Sequence, residues 1–109
     1  MNTPPLHEQR CRPLSPADRL DPAAATALLA SLDGWTVAEG RLQKTYTCAD
    51  FAAAMAVAHR IARIADEQDH HPDLSIAWGR CTVRYHTHSA GGLTINDFIC
   101  AARIDAPQV

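Results

Sequence analysis

The sequence predicts an α+β fold: a four-stranded antiparallel sheet with three helices packed on one face, ordered helix, hairpin, helix, hairpin, helix. Three observations carry this reading. Apolar residues recur with a period near 3.6 across residues 49–69. Residues 81–87 alternate, with Cys81, Val83 and Tyr85 on one side and Thr82, Arg84 and His86 on the other. Glu39-Gly40 and Gly79-Arg80 each stand as a turn signal between two short β-prone runs.

Residues 1–16 hold two prolines side by side and only Leu6 and Leu14 as bulky apolar groups, which predicts a mobile arm ahead of a single domain at 17–109. Asp21-Pro22 pairs an N-cap residue with proline at the first helical position. Ala25, Leu28, Leu29 and Leu32 follow at helical spacing, and Asp33-Gly34 ends the segment. Residues 35–38 and 41–46 form the first hairpin. The long helix then sets Phe51, Met55, Ala58, Ala62 and Ala65 on one face, with Ile61 and Ile64 beside them. His59, Arg60, Arg63, Asp66 and Glu67 make its polar stripe. Pro72 drives His71 out of the α region, so the chain turns extended there. Residues 73–78 and 81–87 form the second hairpin and 89–92 a loop. Thr94, with Asp97 three residues on, opens a last helix that buries Phe98, Ile99, Ala102 and Ile104.

The chain has 109 residues, 47% of them hydrophobic and 20% charged, with a net charge of −2 and no block of Lys or Arg. A domain this small removes about 65% of its unfolded surface on folding, so self-association would strengthen a modest core. The charge balance argues against phosphate-driven nucleic-acid binding. No apolar run approaches the roughly 20 residues of a membrane span, and the N-terminus lacks a signal peptide's apolar stretch. Cys11, Cys48, Cys81 and Cys100 are scattered without a CxxC pair. These features predict a cytoplasmic protein with reduced thiols, no membrane and no nucleic acid among its partners.

Four of six histidines fall within residues 69–88, DHHPDLSIAWGRCTVRYHTH. His70 and His71 stand where the long helix ends, next to Asp69 and the helix's partial negative charge. His88 closes the last strand, so pairing of the second hairpin would bring it toward that helix end. Asp97 follows at the start of the last helix. This grouping suits general acid–base chemistry. A solvated polar edge with no ligand is the plain alternative. Zinc ligation is weakly supported, because adjacent histidines point apart and no cysteine lies at ligand spacing. Asp97 serves equally well as a capping group. Trp35 reads as a core anchor, whereas Trp78, between an alanine and a glycine, suits stacking on a flat ring.

The stretch DHHPDLSIAWGRCTVRYHTHSAGGLTINDFICAARID resembles the pterin-4a-carbinolamine dehydratases. The matching positions are His70, His71, Pro72, Trp78, Val83, Thr87, His88, Gly92, Leu93, Asp97, Ala101, Ile104 and Asp105, with Leu28-Leu29, Gly34-Trp35 and Phe51 upstream. The resemblance spans residues 22–105. It implies loss of water from a 4a-hydroxytetrahydropterin to give the quinonoid dihydropterin, in recycling of the pterin used by an aromatic amino acid hydroxylase. His70 and His88 would be the acid–base pair, and His71, grouped with them as catalytic, would mainly bind and orient the pterin. Asp69 and Asp97 would orient imidazoles or hold ring nitrogens, and Trp78 would contact the substrate. No metal or cofactor is implied, because the pterin is the substrate. The family's members form dimers, often paired into tetramers. Some relatives instead act as non-catalytic modules, as transcriptional cofactors or as RuBisCO assembly factors linked to carboxysomes. Leu74 and Trp78 stand where animal members of the family carry Trp and Tyr, although bacterial-type members are similar here; Cys81 replaces the usual β-branched residue, and Ile95-Asn96 stand where many members carry a basic residue.

Overall fold

The computed structural model describes residues 3–107. Helix α1 (Pro22–Leu29) begins as its sequence dictates: the Asp21 carboxylate accepts from the Ala24 amide at 2.8 Å, with Pro22 in the first turn. Strands β1 (Thr36–Ala38) and β2 (Arg41–Thr47) follow, joined through Glu39 and Gly40, both at positive φ. That pair of left-handed residues is what a two-residue hairpin turn demands. Helix α2 (Phe51–Gln68), strands β3 (Asp73–Ala77) and β4 (Arg80–Tyr85), and helix α3 (Ile95–Asp105) complete the order. Short 3-10 turns lie at Leu6–Glu8, Pro16–Asp18 and His88–Ala90.

All strand pairs are antiparallel, in the sheet order β1-β2-β4-β3. The two hairpins therefore meet at β2 and β4, with Leu42 opposite Tyr85 and Tyr46 opposite Cys81. Cys81, Val83 and Tyr85 are fully buried, as their alternation predicts, and pack with Leu42, Ile61 and Phe98 in one core. The α+β sheet-and-helix fold is the predicted one.

Helix α2 is rotated from its expected face. Its buried residues are Ala54, Ala58, Ile61, Ile64, Ala65 and Gln68, whereas Phe51 is 49% exposed and Ala62 lies at the surface. The spacing 54, 58, 61, 65, 68 is the tighter 4-3-4-3 stripe, and it carries a glutamine that pattern reading left out. The helix starts two residues later than expected, with the Asp50 carboxylate accepting from Ala53 N at 2.8 Å.

Residues 3–16, expected as part of a mobile arm, lie along α3 and the end of α2; Met1 and Asn2 of that arm, and residues 108–109 of the expected domain, fall outside the described residues. Arg103 Nε donates to Gln9 O (2.9 Å), Cys11 N to Gln68 Oε1 (2.9 Å), Asn96 Nδ2 to Arg12 O (2.7 Å) and Ser89 Oγ to Leu14 O (2.8 Å). Leu6 and Cys11 also pack on the core. Every one of these partners lies more than fifty residues away in sequence, so local composition carries no trace of them.

Asp105, at the end of α3, ties the first hairpin to the last helix. It accepts from Trp35 Nε1 (2.7 Å), Tyr46 Oη (2.6 Å) and Lys44 Nζ (2.9 Å). Burial pushes the Asp105 carboxyl up, but the hydrogen bonds from Tyr46, Lys44 and Trp35 outweigh it and hold the group below its ordinary range. A carboxyl depressed in the folded state stabilises above its unfolded pKa, and that stability is lost as pH falls through the folded value. Asp105→Asn should therefore lower stability at neutral pH by about 2–3 kcal/mol and flatten the loss of stability below about pH 4. Urea denaturation across that pH range measures both effects.

Candidate active site

The site begins where α2 stops. Asp69 adopts the left-handed conformation (φ 50°) as the helix's C-cap, and His70 N reaches back to Ala65 O at 3.1 Å. The helix thus ends four residues ahead of Pro72, through a reversal that aspartate tolerates better than most residues. The reversal turns the His70 side chain into the protein, where it is 12% exposed. Its ring stacks on Tyr85, with centroids 5.2 Å apart and planes at 18°. The Tyr85 hydroxyl donates to His70 O at 3.2 Å, so one tyrosine holds both backbone and ring. Burial pushes the Tyr85 phenol above its ordinary range, keeping it a donor.

His70 Nε2 meets Asp97 Oδ1 at 2.6 Å, and Asp97 is wholly buried. The other carboxylate oxygen accepts from Thr94 N and from Thr87 Oγ1, each at 2.9 Å. Thr87 and Thr94 hydroxyls are themselves 2.7 Å apart. Asp97 therefore caps α3 and is hydrogen-bonded to His70 at once. A carboxylate only accepts, so Nε2 carries the proton of this contact and Nδ1 is the ring's acceptor when the imidazole is neutral. Fixing the tautomer in this way prepares the histidine to take up a proton.

A cavity of about 230 Å³ opens beside this pair. Gln68, Asp69 and His70 form one wall, Thr87, Ser89 and Asn96 another, and arm residues 11–14 a third. Gln68 is buried; its Oε1 holds the arm at Cys11 N, and its Nε2 has no hydrogen-bond partner among the described residues.

The other expected residues are placed differently. His71 faces outward, its Nε2 2.9 Å from Asp66 Oδ1, with both side chains well exposed. His88 is exposed at the start of the turn His88–Ala90 and sits edge-to-face with His86, ring centroids 6.5 Å apart. It follows Thr87 and precedes Ser89, which both line the cavity, so its backbone is at the rim. Asp69 lies in the wall and is exposed. Trp78 is not brought to this site within the chain. It is 71% exposed in the turn between β3 and β4, at the opposite end of that hairpin from His70 and Tyr85. The residue that flanks the imidazole with an aromatic face is Tyr85. Thr87, Gln68, Asn96 and the arm went unread as site residues. Only Thr87 left a usable signal, through its place next to His88 and ahead of the Gly91-Gly92 loop.

A helix-backed antiparallel sheet that presents a carboxylate-tethered histidine beside a small cavity defines a small α+β protein equipped for proton transfer. A model of the pterin 4 alpha carbinolamine dehydratase family matches residues 18–107. Two curated relatives are provisionally named pterin-4-alpha-carbinolamine dehydratases. One, from Chromobacterium violaceum, is 42% identical and is matched over 93% of this chain and 94% of its own length. The other, from Stenotrophomonas maltophilia strain K279a, is 43% identical over 94% of this chain and 90% of its own. A crystal structure from Brucella melitensis, described as a transcriptional coactivator/pterin dehydratase, superposes with a TM-score of 0.75 at 29% identity, covering 80% of this chain and 95% of that one. The chain belongs to the pterin-4a-carbinolamine dehydratase family.

Proposed function

We propose that this protein dehydrates a 4a-hydroxytetrahydropterin to the quinonoid dihydropterin by histidine acid–base catalysis, as a step in pterin recycling. The observation that carries the reading is the His70–Asp97 pair: a partly buried imidazole, fixed in tautomer by a buried carboxylate, at the wall of a cavity in a member of this family. Dehydration requires a proton delivered to the departing hydroxyl and another removed from a ring nitrogen. His70 Nδ1 serves as the base and His88, at the rim, as the acid. His71 and Asp69 bind the pterin from the outer edge, Asp97 positions His70, and the free Nε2 of Gln68 is a donor for a ring oxygen or nitrogen. Trp78 joins a substrate site only across an oligomer contact, which makes the expected homodimer or homotetramer part of this proposal. No cofactor enters, because the pterin is consumed as substrate. A cytoplasmic setting beside an aromatic amino acid hydroxylase fits the same reading.

A second reading, a protein-binding module such as a transcriptional cofactor or a RuBisCO assembly factor, draws on the coactivator description of the Brucella protein and on the exposed Trp78 and Phe51. The two separate in a coupled assay, in which a hydroxylase generates the 4a-hydroxypterin and the rise of quinonoid dihydropterin is followed by absorbance. The rate should scale with added protein. A folded preparation that leaves the spontaneous rate unchanged would move the assignment to the binding module.

A further inference from the structure

We infer that Cys11 and Cys100 form a redox-modifiable dithiol that a hydroperoxide converts to an intramolecular disulfide, clasping the N-terminal arm to α3. The two residues are 89 positions apart in sequence, yet their sulfurs lie 3.6 Å apart, in contact and unbonded. Cys100 is wholly buried on α3 and Cys11 is half-buried on the arm. Cys11 also lines the cavity beside His70, which gives a small oxidant a route to it. The Cys11 thiol also donates to Asn96 O at 3.6 Å, a second contact that holds this sulfur against α3. Closing to the bonded separation of about 2.05 Å requires a shift of some 1.5 Å. The arm can supply it, because hydrogen bonds with the Gln68 and Asn96 side chains hold it rather than a sheet ladder.

The chemistry divides between the two sulfurs. A hydrogen bond from the Cys100 thiol, assisted by the charges of Arg103 and Arg10, holds the Cys11 thiol below its ordinary range against the opposing effect of burial. The same contact, with burial, pushes Cys100 up. Cys11 is the half-buried thiol that lines the cavity, so it is the sulfur a hydroperoxide reaches, and the wholly buried Cys100 is the thiol that resolves. The Cys11 sulfur takes the terminal oxygen of the hydroperoxide, the O–O bond breaks, and the remainder leaves as alcohol or water with the proton Cys11 gave up. Sulfenic Cys11 is then attacked by the Cys100 sulfur; the S–O bond breaks, and hydroxide leaves as water with the Cys100 proton. Two thiols lose two electrons and one hydroperoxide is reduced. Cys48 and Cys81 are outside this exchange: burial pushes the Cys81 thiol up, and the Cys48 thiol donates to Tyr46 O at 3.5 Å. The result would be a covalent fastening of the cavity's third wall.

The test uses the full chain, treated at near-neutral pH with one equivalent of hydrogen peroxide, then alkylated and digested with trypsin. Two of the four thiols should disappear, the intact mass should fall by two hydrogens, and the peptides spanning residues 11–19 and 85–103 should emerge joined until dithiothreitol separates them. Cys11→Ser should lose none of its three remaining thiols. Retention of all four thiols, a link through Cys48 or Cys81, a link between chains, or overoxidised Cys11 without a link would each overturn the inference. These readouts need no pterin, so they stand apart from the dehydratase assay.

Discussion

Replacing His70 with alanine should slow 4a-hydroxypterin dehydration at least about 100-fold, the range expected when a general acid–base group is removed. The imidazole is the only ring in the described residues that is both held by a buried carboxylate and placed at the cavity wall. Alanine also strips a partner from Asp97 and exposes the Tyr85 ring, so some stability is lost with it, about 1–3 kcal/mol for the carboxylate oxygen left unpaired. His70→Gln keeps a donor for Asp97 but cannot accept and release a proton near neutral pH. The glutamine variant should fold with a melting temperature nearer wild type and still lose the same 100-fold in kcat. Loss of only a few-fold in the folded glutamine variant would remove His70 from the chemistry.

Asp97 should produce the largest combined effect on fold and rate. It is fully buried and serves Thr94 N, Thr87 Oγ1 and His70 Nε2 together. Asp97→Ala leaves three donors unpaired at the start of α3 and should cost about 3–5 kcal/mol, a large part of the about 5–15 kcal/mol that holds a domain of this kind folded. Asp97→Asn keeps an acceptor for the Thr94 amide and should fold. Its amide cannot stabilise an imidazolium, so kcat should fall by about two orders of magnitude with KM little changed. A stable Asp97→Ala protein would contradict the capping role, and an Asp97→Asn protein with wild-type kcat would contradict the positioning role.

Local chemistry made most of the fold legible before the structure. The inward run Cys81, Val83, Tyr85 follows from strand alternation, and the caps Asp21 and Thr94 from short polar side chains beside helical spacing. The face of α2 was misjudged because Phe51 looked like a core residue, although position 54 rather than 51 begins the buried stripe. Half the site was legible in the same way. His70 and Asp97 are marked by a helix end and a capping box, and they meet as expected. Trp78 was drawn to the site by its chemistry alone, whereas the two-residue turn of its hairpin sends it to the opposite end. The arm was illegible because its order comes from Gln68, Asn96 and Arg103, residues that composition cannot connect to residues 9–12. Gln68 and Asn96 looked like ordinary polar residues, and only their burial shows that they have a task.

Two histidines, one tethered and one at the rim, carry the proposed dehydration of a 4a-hydroxypterin. Stopped-flow decay of that compound, with wild type beside His88→Ala, tests it most directly. A protein-dependent acceleration over the spontaneous rate is expected, falling at least about 100-fold in the variant, whose exposed side chain makes few contacts for the fold to lose. No acceleration by folded wild type would contradict dehydration itself, and undiminished acceleration in His88→Ala would contradict the two-histidine mechanism.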